Sequence, residues 1–372
     1  MIQNVFVVGT GNVGGTVVRQ IFDKGNTDAS KQKNPTRIVG LAHMTRGGLR
    51  SIHEAAGIDR ATAIKFCEGG IRGDAYGSLG DVRSDMRSFP EKLVYADITA
   101  ARESALDFHL GIMADGSRND GVVTANKNPL VLCSTDAFDY LTRDVDRYGY
   151  RCSVMAGAEA VAMMRDLRDV NDPPFLVEGC FSGTLGFLAT GLQEGGKLSK
   201  VVTEARKRGY TEPHPRDDLS GADVAKKLLI LARTAGFELN YGDIEIEPFI
   251  DRCYLKEDDP DEFMRSLPEL DAVFAKKSRA AEKRGNTLRY VASFDRRNGK
   301  PVMKVGLREV PLDSPLGMLH GTGNKITIVT GNYTENKPYI VEAPGAGPEV
   351  TAQNVRRDLL AQLNGRRMRP YK

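Results

Sequence analysis

The residues Asn4-Val5-Phe6-Val7-Val8-Gly9-Thr10-Gly11-Asn12-Val13-Gly14 decide how the chain begins to fold. The apolar run to Val8 suits a buried parallel strand, and the helical spacing of Val17, Val18 and Ile21 suits a helix packed against it. Between them stands a Gly-x-Gly-x-x-Gly turn. Its first glycine permits the tight turn, its second lets backbone approach a pyrophosphate, and its third lets helix and strand pack closely, with phosphate charge facing the helix N-terminus. Gly9, Thr10, Gly11, Asn12, Val13 and Gly14 are therefore read as dinucleotide-binding residues, against the alternative of a purely structural turn.

Outward from this turn, the next strand is expected over Arg37 to Ala42, and no acid stands at its end to bind the adenosine ribose hydroxyls. His43, Thr45 and Arg46 occupy that place. An arginine without an acid favours a 2′-phosphate, so NADP is preferred over NAD, although Arg46 fits a solvated loop charge equally well. Further strands are expected at Leu93 to Ala96 and Gly121 to Ala125. In an open parallel sheet ligands sit beyond the carboxyl ends of the strands, which places Asp97, Thr99 and Lys127 at the crevice. Their alternative roles are a helix cap for Asp97 and Thr99 and a surface lysine for Lys127. Near the end, Ala343 to Ala352 forms another glycine turn, opening a helix over Val350 to Leu363. The amides near Gly347 either meet the cofactor or the last helix simply packs back on the first domain; both hold together without conflict.

A second chemically dense stretch lies far from the turn: Gly209-Tyr210-Thr211-Glu212-Pro213-His214-Pro215-Arg216-Asp217-Asp218-Leu219-Ser220-Gly221-Ala222-Asp223-Val224-Ala225-Lys226-Lys227. Pro213 and Pro215 forbid helix through its first half and put Glu212 on a constrained loop. Ser220 then suits an N-cap for a helix from Ala222 to Arg233. Asp223 and Lys227 stand four apart on one helical face. A carboxylate and an ammonium so placed suit proton transfer on a substrate oriented by the loop acids, and they suit an ordinary i,i+4 ion pair just as readily. Ser220 with Asp223 also fits a capping box.

The whole chain has 372 residues, enough for two or three domains, with 41% hydrophobic and 27% charged residues, the balance of a globular enzyme. A formal net charge of +3 gives no reason to expect nucleic acid, and the basic run Arg366, Arg367, Arg369 and Lys372 reads as a solvated end. Five scattered cysteines without Cys-x-x-Cys spacing suit a reducing compartment, without disulfides or zinc. With no basic leader and no apolar stretch of membrane length, a cytoplasmic location is expected.

The expected fold is α/β: a Rossmann-like doubly wound parallel sheet over 1–150, an α+β substrate-binding and dimerisation domain over 151–335, and a segment over 336–372 returning to the first domain. The second domain is expected to hold helices at Ala160 to Leu167, Ala189 to Gly195, Leu198 to Arg208, Asp261 to Ser266 and Glu269 to Lys283. Antiparallel strands are expected at Thr287 to Phe294, Val302 to Leu307 and Lys325 to Thr330. A one-sided antiparallel sheet of this kind suits packing across a partner, so a homodimer is expected.

With these residues in view the chain resembles homoserine dehydrogenase, most of all the dehydrogenase module of the bifunctional aspartokinase-homoserine dehydrogenases. The resemblance covers nearly the whole length. It rests on Gly9-x-Gly11-x-x-Gly14-Gly15, Val123-Thr124-Ala125-Asn126-Lys127, Phe181-Ser182-Gly183-Thr184-Leu185, the 209–233 segment, Asp243-Ile244-Glu245-Ile246-Glu247-Pro248 and Gly345-Ala346-Gly347 with Val350-Thr351-Ala352. It implies a reversible NAD(P)-dependent reduction of aspartate-4-semialdehyde to L-homoserine, on the way to threonine and methionine. It also implies that Lys227 transfers the proton with Asp223 as acidic partner, and that Glu212 and Asp218 hold the substrate's amino group. Lys127 matches a second active-site lysine, and Gly183, Thr184 and Tyr210 match positions around the substrate.

One loop departs. Arg151-Cys152-Ser153-Val154-Met155-Ala156-Gly157-Ala158-Glu159 stands where the family has an acid or similar residue leading into Val-Gly-Ala-Gly-Leu-Pro, so the family's proline becomes Glu159. The family resemblance implies a sodium ion on backbone carbonyls at Arg151, Val154, Ala156 and Ala158, and these changes put that site in question. Glu159 and Met155 also open an alternative, an oxidoreductase acting on another small amino acid or aldehyde. A low-turnover NADP-binding protein is a further alternative, against which the intact Asp223 and Lys227 speak. With no aspartokinase segment before Met1 and an end soon after Leu363, feedback inhibition by threonine is not expected.

Overall fold

The computed structural model describes residues 2–24, 35–50 and 57–368, the side chains of Lys24 and 364–368 excepted. The basic run from Arg366 to Lys372 falls outside the described side chains. Two compact units divide the chain, one formed by Met1–Gly157 with Ala346–Lys372 and the other by Ala158–Gly345.

In the first unit, six strands form one sheet: β1 (Gln3–Val8), β2 (Thr36–His43), β3 (Gly47–Arg50), β4 (Leu93–Asp97), β5 (Gly121–Thr124) and β6 (Tyr148–Gly149). Their order is β3-β2-β1-β4-β5-β6, with every pairing parallel except the β2/β3 hairpin. This is the Rossmann-like sheet that the glycine turn implied. Every β1 residue is buried, which explains why Val5 to Val8 form a continuous apolar run rather than an alternating one. The order reverses beside β1, so the carboxyl ends of β1 and β4 open onto one crevice. β3 was not expected, because Gly47-Gly48 reads as a turn. The last helix, Pro348–Met368, begins two residues before the expected Val350, with proline at a first-turn position where no N–H is required. Its Val355 and Leu359 join the core formed by Val5, Val7, Val17 and Val18.

The second unit carries the strands β7 (Leu176–Cys180), β8 (Ile244–Ile246), β9 (Asn286–Asp295), β10 (Val302–Pro311), β11 (Gly323–Val329) and β12 (Tyr339–Pro344) in the order β12-β11-β7-β9-β10-β8. All pairings are antiparallel except β8 with β10. β9, β10 and β11 lie where alternation placed them, β10 running four residues further. β7, β8 and β12 were not read from the sequence. β7 is hidden by Gly179, whose missing side chain is replaced by the Phe181 ring; a Cβ there would lie 2.3 Å from that ring. The helix expected from Ala189 instead spans Gly183–Gln193. Three glycines conceal its start, and two of them serve packing: a Cβ on Gly186 would lie 2.9 Å from the Gly321 carbonyl oxygen, and one on Gly191 would lie 2.6 Å from Val201. Among the described residues no helix is long and apolar enough to cross a membrane.

The largest fully buried side chain is Arg289 on β9. Its guanidinium donates to the carbonyls of Leu288, Leu316, Gly317 and Leu319, to Gln193 Oε1 and to Thr287 Oγ1. These are all neutral acceptors, and burial lowers its pKa. The residue thus ties the 316–319 loop over Cys180 and Val291. Arg289→Met should destabilise this unit by about 3 kcal/mol, because several buried carbonyls lose a charged donor. Denaturant unfolding followed by tyrosine fluorescence measures this, and a loss below about 1 kcal/mol would show that water repairs the loop.

Candidate functional site

The helix Ala222–Thr234 starts on Gly221, whose φ of 75° is left-handed and whose absent Cβ leaves room for Tyr290; a Cβ would lie 1.9 Å from the Tyr290 hydroxyl. This corrects the expected cap. Ser220 is not the N-cap: it closes a preceding single-turn helix, Pro215–Leu219, while its hydroxyl accepts from Ala222 N at 3.2 Å and donates to Asp217 O at 2.6 Å. The expected Ser220–Asp223 capping box is accordingly not formed. Pro215 likewise opens a helix rather than preventing one, with His214 as its cap, while Thr211 to His214 stay irregular.

One turn into the helix Ala222–Thr234, Lys227 is buried at 8% exposure. Its Nζ donates to the Phe181 carbonyl at 2.7 Å and lies 2.8 Å from Asp223 Oδ2. The i,i+4 pair read from the sequence is therefore formed, with its ammonium buried and its carboxylate half-exposed. Phe181 was missed as a partner because a backbone acceptor leaves no mark in residue type; the only signal was its place at the head of the Phe181-Ser182-Gly183-Thr184 motif.

A second carboxylate stands close by in sequence and differs in setting. Asp218 Oδ2 accepts from Glu212 N at 2.7 Å and Asp218 Oδ1 from Thr184 Oγ1 at 2.9 Å. Thr184 Oγ1 also lies 2.5 Å from the Tyr210 carbonyl, so one hydroxyl proton faces two acceptors. Burial pushes the Asp218 carboxyl up to about 6, a rise opposed by the Glu212 amide and the Thr184 hydroxyl and aided by the charges of Glu212 and Asp223. When Asp218 is protonated it can itself donate to Thr184 Oγ1, which relieves the competition. Gly183 and Thr184 open the helix Gly183–Gln193, capped by Ser182. Tyr210 packs edge-on against Phe187 and keeps 40% exposure, and the Glu212 side chain is exposed. Asp217 is exposed as well, 3.9 Å from Arg216, and takes no part in this cluster.

The first unit holds the other set of expected residues. A crevice of about 350 Å³ is lined by Val8, Gly9, Gly11, His43, Tyr76 and Thr99, among others. Gly9 has φ 92°, and its missing Cβ lets Ile98 approach, while a Cβ on Gly14 would lie 2.0 Å from the Gly9 carbonyl oxygen. Gly11 faces open space, the one glycine of the three with room for a ligand against its backbone. Asn12 and Val13 begin the helix Asn12–Lys24. The residues present fit a dinucleotide at this place. Thr99 donates to Asp97 through both its amide and its hydroxyl, and the Lys127 carbonyl accepts from Leu130 N and Val131 N at the start of the helix Asn128–Leu132. Gly347, with φ 132°, accepts from Thr351 N at 3.0 Å, and the following Pro348 offers no amide.

Arg46 is not a solvated loop charge. Its guanidinium donates to the carbonyls of Phe66 and Cys67 at the end of the helix Arg60–Cys67 and to Thr10 O at 3.3 Å. It joins that helix to the glycine turn.

The 151–157 loop is held by the last helix. Arg151 donates to Asp358 through its amide at 3.0 Å and through Nε at 2.9 Å, with side-chain exposures of 14% and 6%. Met155, Ala156 and Gly157 are all left-handed, with φ of 50°, 50° and 91°. Asn354 Nδ2 donates to the Ala156 carbonyl at 2.9 Å, and Gly157 N donates to the Val154 carbonyl at 3.0 Å. Two of the expected sodium-binding carbonyls thus already accept hydrogen bonds, and the position of a third carries a guanidinium.

Comparison with known proteins places the chain among relatives of one family. The family model for homoserine dehydrogenase matches residues 169–360. A bifunctional aspartokinase/homoserine dehydrogenase 2 of Zea mays is 33% identical over 363 residues, covering 96% of this chain and 38% of that protein. A homoserine dehydrogenase of Emericella nidulans is 41% identical over 222 residues, covering 57% of this chain and 59% of its own length. The chain thus spans less than two thirds of the length of these two relatives. A Candida auris protein of unknown function shares the fold with a TM-score of 0.83 at 26% identity, covering 97% of this chain and 98% of that one. A hyperthermophilic archaeal homoserine dehydrogenase in complex with NADPH has a TM-score of 0.72 at 20% identity, covering 98% of each chain, a likeness of fold alone. Because the family model spans over half of the sequence, the chain belongs to the homoserine dehydrogenase family.

Proposed function

We propose that the chain is an NAD(P)-linked homoserine dehydrogenase interconverting L-aspartate-4-semialdehyde and L-homoserine, a step toward threonine and methionine. The observation that carries this is the buried Lys227 ammonium clamped between the Phe181 carbonyl and Asp223. A lysine has three N–H donors, and two have partners here, so one remains to hold a substrate oxygen and pass it a proton. Asp223 pairs with that ammonium and aims it. Asp218 and Glu212 bind the substrate's amino group, with Thr184, Gly183 and Tyr210 forming the wall behind it. Lys127 serves as a second active-site cation. A nicotinamide dinucleotide at Gly9–Gly14, with Thr99 and Gly347 nearby, supplies or accepts the hydride when bound. NADP is preferred because His43, Thr45 and Arg46 stand at the end of β2 where an acid would repel a 2′-phosphate. A homodimer is supported by β12, an edge strand whose Ile340 is 45% exposed, and a cytoplasmic location by five cysteines all free of disulfides.

Replacing Lys227 by methionine should lower kcat about 10²–10⁴-fold, the usual worth of a positioned proton donor, while the NADPH Kd moves less than about twofold. A steady-state assay with homoserine and each cofactor reads both, and an undiminished kcat would refute the assigned role.

The pH profile has a definite sign. The Asp218 pKa is raised to about 6, so in the free site the carboxyl is mostly protonated below about pH 6 and mostly anionic above it. Only the anion attracts an ammonium. The homoserine KM should therefore be flat above about pH 6 and rise roughly tenfold per unit below it, while Asp218→Asn removes that limb. A KM level from pH 5 to 8 in the unmodified chain would contradict the assignment.

No sodium requirement is proposed, since the Val154 and Ala156 carbonyls each already accept a hydrogen bond from the protein. Exchanging sodium for a bulky organic cation at fixed ionic strength should change kcat/KM less than about twofold. Activity lost on exchange and restored by added sodium would count against this.

A further inference from the structure

Beneath the crevice of the first unit lies a buried polar chain that the proposed reaction does not use. Asp97 at the end of β4, His109 on the helix Glu103–Ala114 and Tyr148 on β6 are each 0% exposed. Tyr148 Oη stands 2.8 Å from His109 Nδ1, and His109 Nε2 stands 3.1 Å from Asp97 Oδ2. Asp97 Oδ2 also accepts from Asn126 Nδ2 at 3.2 Å, and its Oδ1 accepts from Thr99 N at 2.9 Å and Thr99 Oγ1 at 2.7 Å. The carboxylate therefore has four donors. Against this acceptor His109 Nε2 stands as the donor. Burial holds the Tyr148 phenol in its protonated form, so it can donate to Nδ1 of a neutral ring.

The chain ends on two loops. Asn126 Nδ2 reaches the Ala101 carbonyl at 2.8 Å, and Asn126 Oδ1 accepts from Asn128 N at 3.0 Å. Asn128 Nδ2 donates to the carbonyls of Ala100 and Ala101, both at 3.1 Å. Thr124 Oγ1 and Ala125 N both donate to the Asp97 carbonyl at 3.1 Å. Loop 97–101 is thereby stitched to loop 124–128. The first carries Ile98, Thr99, Ala100 and Ala101 of the crevice wall, and the second carries Lys127.

A fully buried carboxylate is an expensive way to join two loops, because well-packed apolar groups commonly serve stability as well or better. What the carboxylate adds is direction. It fixes the tautomer of His109, the turn at Thr99 and the amide plane of Asn126 together, so that the loops keep one arrangement before any ligand arrives. We propose that Tyr148, His109 and Asp97 are positioning residues that pre-form the dinucleotide-binding wall at 98–101 through Thr99 and Asn126. This rests on the proposed binding of a nicotinamide dinucleotide at the first unit. None of the three touches the ligand; each acts through the next.

The test compares NADPH Kd, kcat, homoserine KM and Tm for Asp97→Asn, His109→Gln and Tyr148→Phe in the full chain. Asp97→Asn turns an acceptor into a donor facing His109 Nε2–H and should raise the NADPH Kd about 10–100-fold, with homoserine KM within about twofold. Tyr148→Phe removes one hydroxyl two residues away from the wall and leaves packing intact; it should still raise Kd about threefold or more. His109→Gln returns an amide donor to Asp97 and should stay closer to the unmodified Kd than Asp97→Asn. Should Asp97→Asn fail to fold, Tyr148→Phe and His109→Gln decide the matter. Lowered Tm with unmodified NADPH Kd in these variants would overturn the proposal while leaving the proposed activity standing. An unmodified chain binding neither NADPH nor NADH would instead overturn the activity itself and this proposal with it.

Discussion

The second unit is organised around an ammonium that has been taken out of water and must not be left alone. Lys227 reaches its place only because Gly221 lets the helix begin beneath Tyr290, whose hydroxyl is in turn tied to the Glu247 carbonyl at 2.8 Å. The Phe181 carbonyl is presented by the chain as it leaves β7. Asp223, in the first turn of the same helix, adds a charge that the helix N-terminus also favours. An unpaired ammonium at this depth would cost several kcal/mol, so the clamp is both a structural necessity and a chemical preparation.

Two carboxylates of the 209–227 segment show how setting separates roles within a few residues. Asp223 sits half-exposed against Lys227. Asp218 sits deeper, with an amide and a hydroxyl as its partners, and its pKa rises. A charge already balanced suits holding a proton donor in place; one that is anionic only at some cost gains most from meeting an incoming ammonium. The first unit applies the same logic differently, giving the buried Asp97 four donors.

The parts legible from sequence were those whose cause is local. The glycine turn declares itself because Gly9 needs a left-handed φ and Gly14 needs close approach, and both demands fall within six residues. The Asp223–Lys227 pair follows from helical spacing. What was missed depends on distant chain. Phe181 matters through its carbonyl, Arg46 turned to carbonyls of a helix twenty residues on, and β7 disguised itself because Gly179 yields its space to a neighbouring ring. Ser220 had the right chemistry for a cap, yet a helix begun by Pro215 claimed it first. The chain Tyr148–His109–Asp97 joins a helix to two strands, so no spacing could announce it.

The account stands on Lys227 acting as the group that moves the proton. Its most direct test is chemical rescue: turnover of homoserine by the Lys227→Ala variant in the presence of small primary amines. The account predicts a slow variant whose rate rises in proportion to amine concentration and varies with the amine's basicity, because a free ammonium can enter the vacated space and carry the proton. A variant that is fast without amine, or one that no amine accelerates while NADPH still binds, would contradict it.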